Sequence, residues 1–129
     1  MRFRDAMTSV VAALLFALPA HVSAGQALGG VVLQDVRPRI ITPNGDARND
    51  SVVFQFDTSL AGVPIQADIL DLDGRRVAGM EMSTSGPDPD SQLTWNGRDD
   101  SGRIMPSGIY IYSIKIGQKA ATGTVVVAR

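Results

Sequence analysis

The chain has 129 residues, 12 Lys and Arg against 13 Asp and Glu, no cysteine and one histidine. That length is one ordinary domain, the even charge balance supplies no basic face for a nucleic acid, and disulfides are ruled out. With 44% hydrophobic residues the chain carries enough aliphatic material to fold around a core rather than stay disordered.

The first segment opens on the basic Arg2 and Arg4 and continues as an apolar run from Val10 to Ala20. This is the pattern of a secretory signal peptide over residues 1–24. Val22 and Ala24 occupy the small-residue positions before a cut at Gly25, and a cut after Ala27 is the alternative. The run is shorter than the roughly 18 to 20 residues a membrane-spanning helix needs, so no transmembrane segment is expected once the leader is removed. A lipid anchor would need a cysteine after the cut, and the sequence has none. The expected location is secreted, periplasmic or at the cell surface.

The single histidine, His21, falls inside that leader. A mature domain without imidazole or thiol cannot build a Ser-His-Asp or Cys-His nucleophile, and it lacks the usual soft ligands for zinc. A Ser-Lys dyad on Lys115 or Lys119, or a carboxylate pair of the glycosidase type, is what remains for catalysis. No catalytic residue is assigned, and the chain is expected not to be an enzyme.

Residues 25–30 read as a short linker ending at Gly29-Gly30, and 31–129 as one undivided domain. From there, period-two alternation recurs between turn signals, with no helical spacing long enough to compete. Val31 to Val36 opens the series. Val52, Phe54 and Phe56 then alternate with Val53, Gln55 and Asp57, giving a strand with one wet face. Ile65, Ala67 and Ile69 follow, and Leu70, Asp71 and Leu72 shift the phase by one residue, which predicts a bulge.

Asp73-Gly74 is a tight-turn dipeptide, so the chain should fold straight back into a strand from Val77 to Met82. Leu93 and Trp95 form a brief strand ended by Asn96-Gly97, with Trp95 as the core plug. Tyr110, Tyr112, Ile114 and Ile116 alternate with Ile111, Ser113 and Lys115, and Gly117 turns the chain into a last strand from Ala121 to Ala128. The series predicts an all-β fold, an immunoglobulin-like sandwich of about seven antiparallel strands behind a signal peptide. Its expected core is Val52, Phe54, Phe56, Ile65, Ile69, Leu72, Val77, Met80, Leu93, Trp95, Tyr110, Tyr112, Ile114, Val125 and Val127.

Two blocks carry a resemblance to a known family. The run from Ala67 to Val77, ADILDLDGRRV, resembles the hairpin of the FlgD Ig-like family, and the stretch from Thr94 to Tyr112, TWNGRDDSGRIMPSGIYIY, is similar to its WDGRDDxGxxxPSGxYxY signature. Upstream, Thr42 to Asp50, TPNGDARND, resembles the TPNGDGxND opening of gliding-motility, type-B C-terminal sorting domains. Ala47 stands where that motif usually has glycine, and Asn96 where aspartate is commoner. The resemblance covers about residues 31–129 and implies an extracellular bacterial β-sandwich used for attachment, spacing or recognition by a secretion machine.

Two polar clusters are candidate sites. Asn44, Asp46, Asn49 and Asp50 place four oxygen-bearing side chains on one loop, a hard-ligand set that suits Ca²⁺. The competing account is that they cap turns with their own side chains. Asn96, Asp99 and Asp100, flanked by Arg98 and Arg103, could reinforce that site or contact a glycan, or could form two successive turns. No other cofactor is expected.

The terminal strand carries valine on both faces, so it is either buried in its sheet or an edge open to strand addition by a protein partner at the cell envelope. The leading expectation is therefore a binding or assembly module. The alternative is a calcium-dependent adhesion or carbohydrate-binding module, and a small carboxylate hydrolase is a third possibility.

Overall fold

The computed structural model describes residues 26–28, 30–84 and 86–129; the leader read over 1–24 lies outside the described residues. The described residues form ten strands: β1 Gln26–Leu28, β2 Val31–Arg37, β3 Ile40–Ile41, β4 Val52–Phe56, β5 Ile65–Leu70, β6 Arg76–Gly79, β7 Glu81–Met82, β8 Gln92–Trp95, β9 Gly108–Ile116 and β10 Lys119–Val127. Seven of these match the expected series. The additional β1, β3 and β7 are only two or three residues long, too short to show a period in sequence. β1 falls within the stretch read as a linker.

Two five-stranded sheets face each other, one ordered β1-β2-β4-β8-β7 and the other β3-β10-β9-β5-β6. This is a β-sandwich, with one 3₁₀ turn at Pro89–Ser91 as the sole helical element among the described residues. No helix among them is long and apolar enough to cross a membrane.

The buried faces follow the alternation. Val52, Phe54 and Phe56 point inward from β4, and Tyr110, Tyr112 and Ile114 from β9. Phe54 and Tyr112 meet across the two sheets edge to face, with ring centroids 5.0 Å apart, the geometry aromatic quadrupoles prefer. The core extends beyond the expected set to Leu33, Val36, Ile41, Leu60, Ala78 and Ala121.

Three expectations need correction. Leu72 is 66% exposed, because it sits at the tip of the β5–β6 turn rather than in a strand. Ile65, Val77 and Met80 are partly buried and pack against the core from its margin. The strand expected from Val77 to Met82 is two strands: β6 pairs with β5 in one sheet, and after Met80 the chain crosses to pair β7 with β8 in the other. The bulge expected near Leu70 is present as a register shift between Ile69 and Leu70.

β10 runs antiparallel to β9 along its whole length, and β3 lies parallel to it over Val126–Val127. Its inward Ala121, Val125 and Val127 are buried. The terminal strand is thus second from the edge of its sheet, between the two outcomes left open by its sequence.

Candidate interaction site at the loop end of the sandwich

Three connections meet at one end: residues 42–51 between β3 and β4, 71–75 between β5 and β6, and 96–107 between β8 and β9. Strand pairing puts them there. β8 ends opposite the start of β4, and β9 begins beside the end of β5.

In the first loop all four calcium candidates are brought together, and three of them spend their oxygens on backbone N–H groups. Asp50 accepts from Asn44 N (3.1 Å) and Gly45 N (3.2 Å) at Oδ1 and from Ala47 N (2.8 Å) at Oδ2. Asn44 Oδ1 accepts from Asp46 N at 3.0 Å, and Asp46 Oδ1 from Arg48 N at 2.8 Å. Asn49 contributes its main chain instead, accepting from Thr42 N at 2.7 Å. Partial desolvation pushes the Asp50 carboxyl up, but the three N–H donors, with the nearby Arg98 guanidinium, outweigh it and hold the pKa below the usual carboxylate range. Among the described residues, no group of three or more His, Cys, Asp or Glu side chains is gathered closely enough to hold a metal ion.

Ala47 adopts φ 65°, the left-handed region that glycine would fill without strain, and Asn49 follows at φ 52°. The turn is therefore made without the glycine of the motif that this loop resembles, at a steric cost. Ala47→Gly is expected to raise the urea midpoint, by about 0.5–1 kcal/mol of stability, because relief of the Cβ clash exceeds the added freedom of the unfolded chain. A lowered midpoint would contradict this geometry.

The other two loops contain a repeated device. Asp71 Oδ1 accepts from Asp73 N and Arg75 N, both at 2.9 Å, while Oδ2 accepts from Arg75 Nε at 3.3 Å. Asp99 Oδ1 accepts from Ser101 N and Arg103 N, again both at 2.9 Å, with Arg103 Nε on Oδ2 at 3.2 Å. Each turn is closed by a pair of main-chain bonds between the Asp and the Arg or Gly, and Gly74 and Gly102 share φ values of 86° and 88°. The backbone N–H of the Arg lowers each Asp pKa most. The second N–H and the guanidinium act the same way, against partial desolvation.

The sequence carries this device as DLDGR and DDSGR, two copies of Asp-x-(Asp or Ser)-Gly-Arg that are legible only when the two blocks are aligned with each other. Asp100, beside the second clamp, ties it to the sheet. Its carboxylate takes Arg76 Nη1 and, at 3.1 Å, the Gly79 N–H, while Arg76 Nε also pairs with Asp68 at 3.0 Å. Arg76 lowers the Asp100 pKa, and Asp100 and Asp68 raise that of Arg76.

Below this loop lies Trp95, 3% exposed. Its indole Nε1 donates to Arg98 O at 2.8 Å, and its ring stands 5.6 Å from Tyr110, whose hydroxyl donates to Pro106 O at 2.7 Å. A shallow recess of about 270 Å³ opens beside it, lined among others by Gly79, Glu81, Thr94, Asn96 and Asp100. The second predicted cluster thus divides into clamp (Asp99, Arg103), tether (Asp100) and turn (Asn96, whose Oδ1 accepts from Arg98 N at 3.1 Å).

No family model matches the chain. It is 28% identical over 88 residues to the C5a peptidase of Streptococcus pyogenes serotype M18, an alignment that takes in 58% of this chain and 8% of the peptidase. Among solved structures, PorZ of Porphyromonas gingivalis, a surface component of the type-IX secretion system, overlays 82% of this chain at 20% identity with a TM-score of 0.51. The overlay spans 13% of PorZ. CopC from Methylosinus trichosporium OB3b overlays 75% of this chain and 92% of its own at 18% identity, with a TM-score of 0.45. The chain therefore spans a small fraction of the peptidase and of PorZ, and what it shares with PorZ is the β-domain fold.

Proposed function

We propose that this chain is a non-enzymatic, FlgD Ig-like β-sandwich module that acts outside the cytoplasm in attachment, assembly or recognition by a secretion machine, with a protein partner engaged by strand addition at a sheet edge. The observation that carries the reading is the use made of the two sequence blocks behind the resemblance. They build the twin Asp-Arg clamps, so their charged residues hold loops instead of converging on a reactive centre. The overlay with a domain of a bacterial surface protein and the leader-like first segment support the same reading.

The test is to express the full chain with a C-terminal tag in the bacterium that encodes it, shave intact cells with protease, then cross-link and identify neighbours by mass spectrometry. The expected result is tagged protein in the medium or cleaved at the surface, cross-linked to an envelope component. Retention in the cytoplasm would overturn the reading. The calcium alternative at Asn44, Asp46, Asn49 and Asp50 separates on purified protein: if the loop takes the ion, millimolar Ca²⁺ raises Tm and Asp46→Ala abolishes the rise.

A further inference from the structure

Among the described residues the two sheets end in four outermost strands, β1, β7, β3 and β6. A strand in that place turns one row of N–H and C=O groups away from its sheet, where another molecule's strand can pair with them. β1, β3 and β7 limit this by being only two or three residues long. β6 has four residues, and side chains cover it.

β6 is last in its sheet and pairs with β5. The register shift opposite Ile69 and Leu70 distorts the first half of the strand and leaves Ala78 and Gly79 as its regular part. Met80 N donates to Ala67 O at 3.0 Å, toward β5. Successive N–H groups along a strand alternate in direction, so Gly79 N points the other way, out of the sheet. There it donates to Asp100 Oδ1 at 3.1 Å, a carboxylate delivered by the 96–107 loop rather than by a strand.

Arg76 completes the cover. Its Nη1 bonds the other oxygen of Asp100, and its Nε bonds Asp68 Oδ1 at 3.0 Å. The guanidinium lies over the bare backbone of Gly79, where a Cβ would be 2.9 Å from Nη2. The Asp100 carboxylate therefore fills the position that a pairing strand's carbonyl would take. An incoming strand would also have to desolvate the charges of Asp68, Arg76 and Asp100, which is costly.

We infer that Asp100 closes the β6 edge to strand pairing with a second copy of this chain, and that Arg76 is the positioning residue that holds it there. A second copy is the occupant excluded because every molecule presents the same edge, and two antiparallel β6 strands can pair about a two-fold axis. The inference does not rest on the proposed function. With Asp100 in place, a partner that adds a strand to this module takes an edge other than β6.

Two substitutions test it: Asp100→Ala removes the acceptor, and Asp100→Asn keeps Oδ1 while removing the charge. Sedimentation velocity from micromolar to near-millimolar protein is combined with amide hydrogen exchange at Gly79. The parent and the asparagine variant are expected to keep Gly79 protected at every concentration. In the alanine variant Gly79 should exchange severalfold faster when dilute. As concentration rises that variant should self-associate, and Gly79 exchange should slow again because the second copy now supplies its acceptor. An alanine variant with the parent's mass at every concentration, or one that associates while Gly79 still exchanges fast, would overturn the inference. Asp100→Ser, whose side chain is too short to reach the Gly79 N–H, repeats the test if the alanine variant does not fold.

Discussion

Gly123→Ala is expected to cost about 3 kcal/mol or more, at the upper end of what overpacking a core imposes, and to lower Tm by roughly 10 °C or more for a domain of this size. Gly123 lies in β10 directly opposite Tyr112 of β9, and the Tyr112 ring lies across it on the buried face. A Cβ built at Gly123 would stand 2.6 Å from Cε2 and Cζ of that ring and overlap its hydroxyl. Tyr112 cannot yield, because it is fully buried and packed edge to face on Phe54.

Thermal melts by circular dichroism check the prediction, and an alanine variant melting within a degree or two of the parent would refute it. The double variant with Tyr112→Leu provides the control, since shortening the ring should recover part of the loss and make the pair non-additive. The Tyr112 hydroxyl is itself buried, with Arg39 near it but no well-formed hydrogen bond to it among the described residues. Desolvation therefore pushes its pKa up, against a smaller opposing influence from Arg39.

The close fit at Gly123 marks where sequence reasoning stops. Alternation along β4 and β9 identified which of Val52, Phe54, Phe56, Tyr110, Tyr112 and Ile114 face inward, because a half-buried strand imposes that period whatever it packs against. A glycine chosen to admit a ring from the neighbouring strand leaves no such signature. Leu60 was also invisible to period: it is buried from a loop, held there by its N–H on Asp90 O at 2.7 Å. The division of residues 76–82 between sheets was illegible for a related reason. Alternation states which face a residue takes but not which sheet its strand joins, and the crossing at Met80 depends on pairing with β5 and then β8.

At the loop end, residue type was informative and residue role was not. Acidic side chains at Asn-Gly and Asp-Gly turns were correctly placed on loops, yet Asp50, Asp71 and Asp99 are distinguished from their neighbours by accepting two or three backbone N–H groups each. That depends on φ values, including the 65° of Ala47, which composition alone disfavours. Asp100 shows the same gap from another direction: its partners Arg76 and Gly79 lie more than twenty residues away and meet it only because the β8–β9 loop folds over β6.

Trp95→Ala is expected to cost about 3–5 kcal/mol, enough to leave a domain of ordinary stability barely folded. The indole does two things. It fills the end of the core against Tyr110, and through Nε1 it fixes Arg98 O and with it the start of the 96–107 loop. Trp95→Phe separates them, keeping most of the ring while removing the donor, and is expected to cost about 1–3 kcal/mol as Arg98 O loses its partner.

If loop anchoring is the larger part, amide hydrogen exchange at Arg103 and Gly102, whose N–H groups bond within the second clamp, should rise in the phenylalanine variant while that of β9 stays near the parent's. The Asp71 clamp, 28 residues earlier in the chain and not tied to the indole, is the internal reference. Equal loss of protection at both clamps would show that Trp95 acts only through the global stability of the sandwich, and a phenylalanine variant as stable as the parent would remove the Nε1 bond from the account altogether.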